Sequence, residues 1–136
     1  MSAGYSGTPL VRKLGIKPGM TCAVVDAPAH YWELLPDRPS DLRVVDASVG
    51  DVDFVHLFVR AQAGLPERLR ELRGAIAQDG MIWVSWPKKT ARVPTDVTEE
   101  VVRQVALAVG LVDVNVCAVD DVWSGLKLVI RRADRR

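Results

Sequence analysis

Three stretches of this chain are short, continuous and apolar: Met20 to Asp26 (MTCAVVD), Val52 to Val59 (VDFVHLFV) and Met81 to Trp86 (MIWVSW). They lack the apolar–polar alternation of a strand with one wet face, so each reads as a strand covered on both sides. Leu42 to Asp46 (LRVVD) is a shorter strand of the same kind, ending in an acid. Leu111 to Val119 and Trp123 to Arg132 are two more strands, joined through Asp120-Asp121-Val122 as a hairpin.

Helical signals lie between the strands. Thr8 caps a short helix with Pro9 at its first position, running through Leu14 and closed by Gly15. Pro28 starts a second short helix, Ala29 to Leu35. Pro66 opens a third, whose apolar stripe is Leu65, Leu69, Leu72 and Ile76 and whose stop is Asp79-Gly80. Asp96 with Glu99 caps a fourth, marked by Val97, Val101, Val102, Val105 and Val109 and ended by Gly110. Apolar strands alternating with helices give an α/β fold, a three-layer Rossmann-like sandwich. Its sheet is mostly parallel and closes on an antiparallel hairpin.

Length and composition narrow the class. At 136 residues the chain fits one domain spanning residues 1–136, with a flexible arm at Met1 to Gly7 and a frayed tail at Ala133 to Arg136. Apolar residues make up 49%, charged residues 26%, and the net charge is +1, which gives no reason to expect a nucleic-acid or membrane partner. Cys22 and Cys117 lie far apart in apolar runs with no histidine or second cysteine beside them. They read as reduced core thiols, not as metal ligands. No run reaches the roughly 18 apolar residues of a membrane span, and the N-terminus lacks the apolar region of a signal peptide, so a cytoplasmic location is expected. The sequence leaves the partner unknown and a homodimer open.

The stretch Leu14-Gly15-Ile16-Lys17-Pro18-Gly19-Met20 before an apolar strand resembles the entry to class I methyltransferases that use S-adenosylmethionine. Val52 to Phe58 resembles their fourth strand, Leu72 to Trp86 their helix, turn and strand ending in Trp, and the last helix and hairpin fit the same family. The resemblance implies a methyltransferase-like fold in which the first strand runs into a glycine-rich cofactor loop. Here that stretch is Asp26-Ala27-Pro28-Ala29-His30, with no glycine. Alanine disfavours positive φ and proline removes an N–H, so the loop is expected to be poor at approaching a cofactor. One βα unit, the family's third strand, is missing. Asp46 matches the position at which the family holds the ribose, which makes Asp26, Ala27 and Asp46 the candidate cofactor residues. The chain as a whole also resembles a family of small uncharacterised bacterial proteins, a domain of unknown function. Tyr5 to Leu10, Trp83 to Lys89 and Trp123 to Lys127 carry that resemblance, and no activity comes with it.

In such a sheet a ligand lies beyond the carboxyl ends of the strands. The expected rim is Asp26 and Ala27, Asp46, Val59 and Arg60, and Trp86 to Lys89. Ser85, Lys88, Lys89 and Arg92 form a candidate anion site; the alternative is a solvated basic loop with Trp86 packed under the sheet. His56 reads as a core histidine or a general base, and His30 as a base oriented by Asp26. Asp120 and Asp121 fit a turn better than a carboxylate pair. Trp83 and Trp123 read as core, and Trp32 as the exposed tryptophan of an interface. Arg131, Arg132, Arg135 and Arg136 read as a solubilising tail. No catalytic constellation or metal site emerges.

These readings make the leading expectation a non-catalytic binding or interaction module of unknown biological role, without a cofactor. A divergent S-adenosylmethionine-dependent methyltransferase and a small anion or nucleotide binder are the alternatives.

Overall fold

The computed structural model describes residues 7–136, so the expected arm lies, but for Gly7, outside the described residues. Six strands form one sheet: β1 (Thr21–Val25), β2 (Arg43–Val44), β3 (Val52–Phe58), β4 (Ile76–Pro87), β5 (Leu111–Ala118) and β6 (Trp123–Ile130). The order is β2-β1-β3-β4-β6-β5. β1 pairs in parallel with β2 and β3, and β3 with β4, while β6 runs antiparallel to both β4 and β5. This is the expected three-layer, mostly parallel sheet with a closing hairpin. The edge strand β2 is only a two-residue contact, shorter than the run Leu42 to Asp46 predicts.

Alternate residues of β3 point to opposite faces and join two separate cores. Val55 and Leu57 pack with Leu65, Leu69 and Leu72 of helix α2 (Leu65–Ala75) and with Val102 and Ala106 of helix α3 (Glu99–Ala108). Phe54 and Phe58 pack on the other face with Leu14 of helix α1 (Leu10–Leu14) and with Tyr31 and Leu35 around the 3-10 turn Tyr31–Leu34. An isolated helix below about 12–15 residues is marginal, whereas each buried leucine contributes about 1.5–3 kcal/mol. Packing onto the sheet therefore holds α2 in place. Trp83, fully buried, ties α1 down as well, its Nε1 donating to the Leu14 carbonyl at 2.9 Å.

Several boundaries differ from expectation. Pro9 precedes α1 instead of opening it: its extended backbone leaves its carbonyl to accept from Arg12 and Lys13, and no side chain caps the helix. The second helix is only the 3-10 turn Tyr31–Leu34. Helix α3 is capped by Thr98, whose hydroxyl accepts from Val101 N, while Asp96 accepts from the Gln62 amide across the loop after β3. The tail is tied, with Arg136 N donating to Gln78 and Arg135 Nε to the Ile130 carbonyl.

The largest difference is at α2. The helix ends at Ala75, and Ile76, buried and β-branched, turns into β4 opposite Val52. Asp79 and Gly80 then fall within β4, where the register jumps from Val52↔Ile76 to Phe54↔Met81. A Cβ at Gly80 would lie 2.9 Å from the Val52 carbonyl oxygen and 3.1 Å from Ile76 Cβ, so glycine is required by close approach. Gly80→Ala is expected to cost about 1–3 kcal/mol, read as a lower denaturant midpoint at unchanged slope. An unmoved midpoint would contradict this account of the irregularity.

Candidate functional site

β1 and β3 are neighbours, with Val25 opposite Leu57, but the chain leaves them in opposite directions, towards β2 and towards β4. The crevice beyond their carboxyl ends is the expected ligand position of an open parallel sheet. Here it is a cavity of about 390 Å³, lined by the rings of Phe58 and Trp123 and by Ala27, Pro28, Val59 and Leu65. Arg60 and Arg68 bring guanidinium groups to it. A second groove, of about 800 Å³, opens between the ends of β1 and β2 and the flank of α2, where Asp46, Ser48 and Glu71 lie.

Asp26 and Arg68 line both spaces. Their side chains meet at 2.6 Å, with Asp26 61% exposed, so the pair is a solvated strap between two cavities. Asp26 also makes the bend. It leaves β1 with φ +57°, a left-handed conformation that aspartate tolerates better than most residues. Positive φ therefore needs no glycine here, and the bend at Asp26 borders both cavities.

The other candidate residues are separated by the fold. Asp46 borders the larger groove; its Oδ1 accepts from Ser48 N at 2.9 Å, and this amide holds the carboxyl below its ordinary range. Ser85 is fully buried and faces the interior, while Lys88, Lys89 and Arg92 sit on the half-exposed to exposed 3-10 turn that follows β4. None of the four is among the residues that line either cavity, and neither is Trp86, packed in the core. β4 is buried on both faces from Met81 to Pro87, so Ser85 stays inside and the chain emerges only at Lys88. His30 lies 3.2 Å from Asp120, not beside Asp26. Asp120 also accepts from the Val122 and Trp123 amides at 2.8 Å, which is turn chemistry. Trp32 is half-buried, edge-on to Tyr31 and with Arg38 over its ring at 5.3 Å.

His56 is sealed in the core. Tyr31 Oη lies 2.9 Å from its Nδ1 and Ser85 Oγ 2.8 Å from its Nε2. Burial holds the phenol protonated, and with one hydroxyl at each ring nitrogen both nitrogens of the neutral imidazole have a partner. Burial also pushes the thiol of Cys22 up to about 11, with help from the charge of Asp53, and both cysteines are free.

Sequence reasoning placed Arg60 on the rim but missed Arg68 and the second role of Trp123. A signal for Arg68 was present: it lies one turn from both Leu65 and Leu72, at the border of the α2 stripe. What it reaches was not legible, because that depends on where Asp26 turns.

The sequence profile of the family described as "Protein of unknown function (DUF3052)" matches residues 39–132. The chain belongs to this family. No curated protein matches it by sequence. Among solved structures, an S-adenosylmethionine-dependent methyltransferase from Aquifex aeolicus aligns with TM-score 0.67 at 15% identity, over 90% of this chain and 88% of that one. The O-methyltransferase of neocarzinostatin biosynthesis, in complex with S-adenosylmethionine and 2-hydroxy-5-methyl naphthoic acid, aligns with TM-score 0.62 at 13% identity, over 95% and 51%. A protein described as a pericyclic reaction enzyme aligns with TM-score 0.58 at 12% identity, over 91% and 47%. At these identities the likeness establishes a methyltransferase-like Rossmann fold, and the third neighbour illustrates that such a fold does not fix one reaction. Among the described residues, no helix is long and apolar enough to cross a membrane.

His56 gives the core a pH signature. Burial lowers its pKa from 6.5 to about 3, so the unfolded chain takes a proton across that window which the folded chain refuses. Its contribution is complete above pH 6.5 and is lost as pH falls towards 3. In urea titrations between pH 6 and 4, His56→Gln is expected to flatten the loss of stability by up to one proton, about 1.4 kcal/mol per pH unit. Parallel profiles for the two proteins would contradict the buried neutral ring.

Proposed function

We propose that this protein is a non-catalytic binding module built on the methyltransferase fold. The observation that carries the reading is the charge of the switch-point crevice: Arg60 and Arg68 line it, and its one carboxylate, Asp26, is bonded to Arg68. S-adenosylmethionine carries a sulfonium cation, which in this crevice would face two guanidinium groups without an uncommitted acid. Desolvation strengthens that repulsion. The nucleoside half fits better, since Asp46 presents an exposed carboxylate beside the larger groove. The complete cofactor does not suit the pair of cavities.

The absence of reactive groups at the crevice supports the same reading. Neither histidine lines it: His56 is enclosed in the core and His30 is engaged with Asp120 at the surface. Among the described residues, no group of three or more His, Cys, Asp or Glu side chains is placed to hold a metal ion.

A divergent methyltransferase is the second reading, favoured by Asp46 at the groove and by the left-handed bend of Asp26. Calorimetry separates the two. The binding-module reading expects S-adenosylmethionine to bind more weakly than about 1 mM. Micromolar affinity, abolished by Asp46→Asn, would overturn it. Asparagine is the informative substitution because it retains an oxygen to cap the Ser48 amide, whereas alanine would also remove a cap worth about 0.5–2 kcal/mol.

A further inference from the structure

We infer that the crevice between β1 and β3 binds a small organic anion, its oxyanion head on Arg60 and Arg68 and its apolar body along Ala27, Pro28, Val59 and Leu65. This deepens the binding-module reading and rests on it.

Three features of the crevice argue for this ligand class. The first is an uncommitted guanidinium. Arg60 has no carboxylate partner among the described residues, yet it is not free to wander, since its guanidinium stands 5.7 Å from the centroid of the Trp123 ring. Stacking of this kind restricts the side chain and leaves its planar fork of N–H donors for an oxyanion. The second is the excess of positive charge. Arg68 bonds Asp26 through Nη2 alone, so further N–H groups remain, and two cations face one carboxylate. The third is shape. A space of about 390 Å³ lies at the small end of the roughly 300–1,000 Å³ of small-molecule sites, and its lining joins aliphatic side chains to the rings of Phe58 and Trp123. Those two rings meet edge to face at 5.0 Å.

The basic turn Lys88 to Arg92 has more charge, but its basic residues line neither the crevice nor the larger groove. Asp26 is the opposing group. It repels an incoming anion and competes for Arg68, and that gives the inference a signature which a cation-binding site cannot share: neutralising Asp26 must tighten binding.

The test is calorimetry on the full chain with phenyl phosphate and benzoate, alongside benzamide and inorganic phosphate. Both organic anions are expected to bind. Benzamide, isosteric with benzoate but uncharged, and inorganic phosphate, charged but without an apolar body, are expected to bind at least about tenfold more weakly. Arg60→Gln and Arg60→Ala should each weaken phenyl phosphate binding by about tenfold or more, and Asp26→Asn should strengthen it by about threefold. Arg60 is exposed, and unchanged far-UV circular dichroism of its variants confirms that the fold is intact. Benzamide binding as tightly as benzoate, inorganic phosphate as tightly as phenyl phosphate, or an Arg60 variant with unchanged affinity would each overturn the inference. Failure of every anion to bind would also overturn it while leaving the non-catalytic reading standing; that reading falls only if S-adenosylmethionine binds.

Discussion

The turn at Asp26 decides what the carboxyl end of this sheet can hold. One residue leaves β1 in a left-handed conformation, φ +57°, and the same residue offers its carboxylate to Arg68 of α2 at 2.6 Å. Backbone and side chain thus act together. The bend carries Ala27 and Pro28 to the side of the crevice, and the ion pair divides the space around it into a basic cavity below Arg60 and a groove flanked by Asp46 and Glu71. A pair this exposed contributes little to stability, of the order of 0–1 kcal/mol. Its importance is positional, since it fixes which charges a ligand meets.

Behind that surface the fold holds a second polar arrangement, closed to solvent. Tyr31, His56 and Ser85 join the 3-10 turn Tyr31–Leu34, β3 and β4 through two hydrogen bonds of 2.9 and 2.8 Å, inside an aromatic cluster in which His56 stacks on Phe58 at 4.3 Å. Every member is satisfied, and no described buried side-chain polar atom lacks a partner. A satisfied network in an apolar setting favours one arrangement of its elements, because any partial rearrangement strands a polar group at a cost of about 1–3 kcal/mol. Phe58 also lines the crevice, where it meets Trp123. This part of the candidate site is therefore an extension of the rigid core.

The strands were legible because burial on both faces leaves a plain mark: runs such as Val52 to Val59 admit little else. The edge strand was legible only in part, since the run Leu42 to Asp46 pairs with β1 only at Arg43 and Val44. The end of α2 was not, since helix periodicity continues through Ile76 and only pairing with Val52 pulls that residue into β4. The bend at Asp26 was illegible for a different reason: a stretch without glycine can still turn through positive φ, because aspartate adopts that conformation. Arg68 stayed hidden because its partner lies 42 residues away in sequence, and the composition of the Ser85 to Arg92 tract does not reveal that its serine is held in the core by His56.

Membership of a family of unknown function and structural neighbours at 12–15% identity leave the activity of this chain to its own residues. Those residues bring two arginines, Arg60 and Arg68, to the crevice at the carboxyl ends of β1 and β3. The direct measurement is NMR of protein with labelled arginine and tryptophan side chains, following the Nε–H signals of Arg60 and Arg68 and the indole N–H of Trp123 during titration. The account predicts that these three signals shift and saturate with phenyl phosphate and stay in place with S-adenosylmethionine. The reverse pattern, saturable movement with the sulfonium and none with the anion, would contradict it.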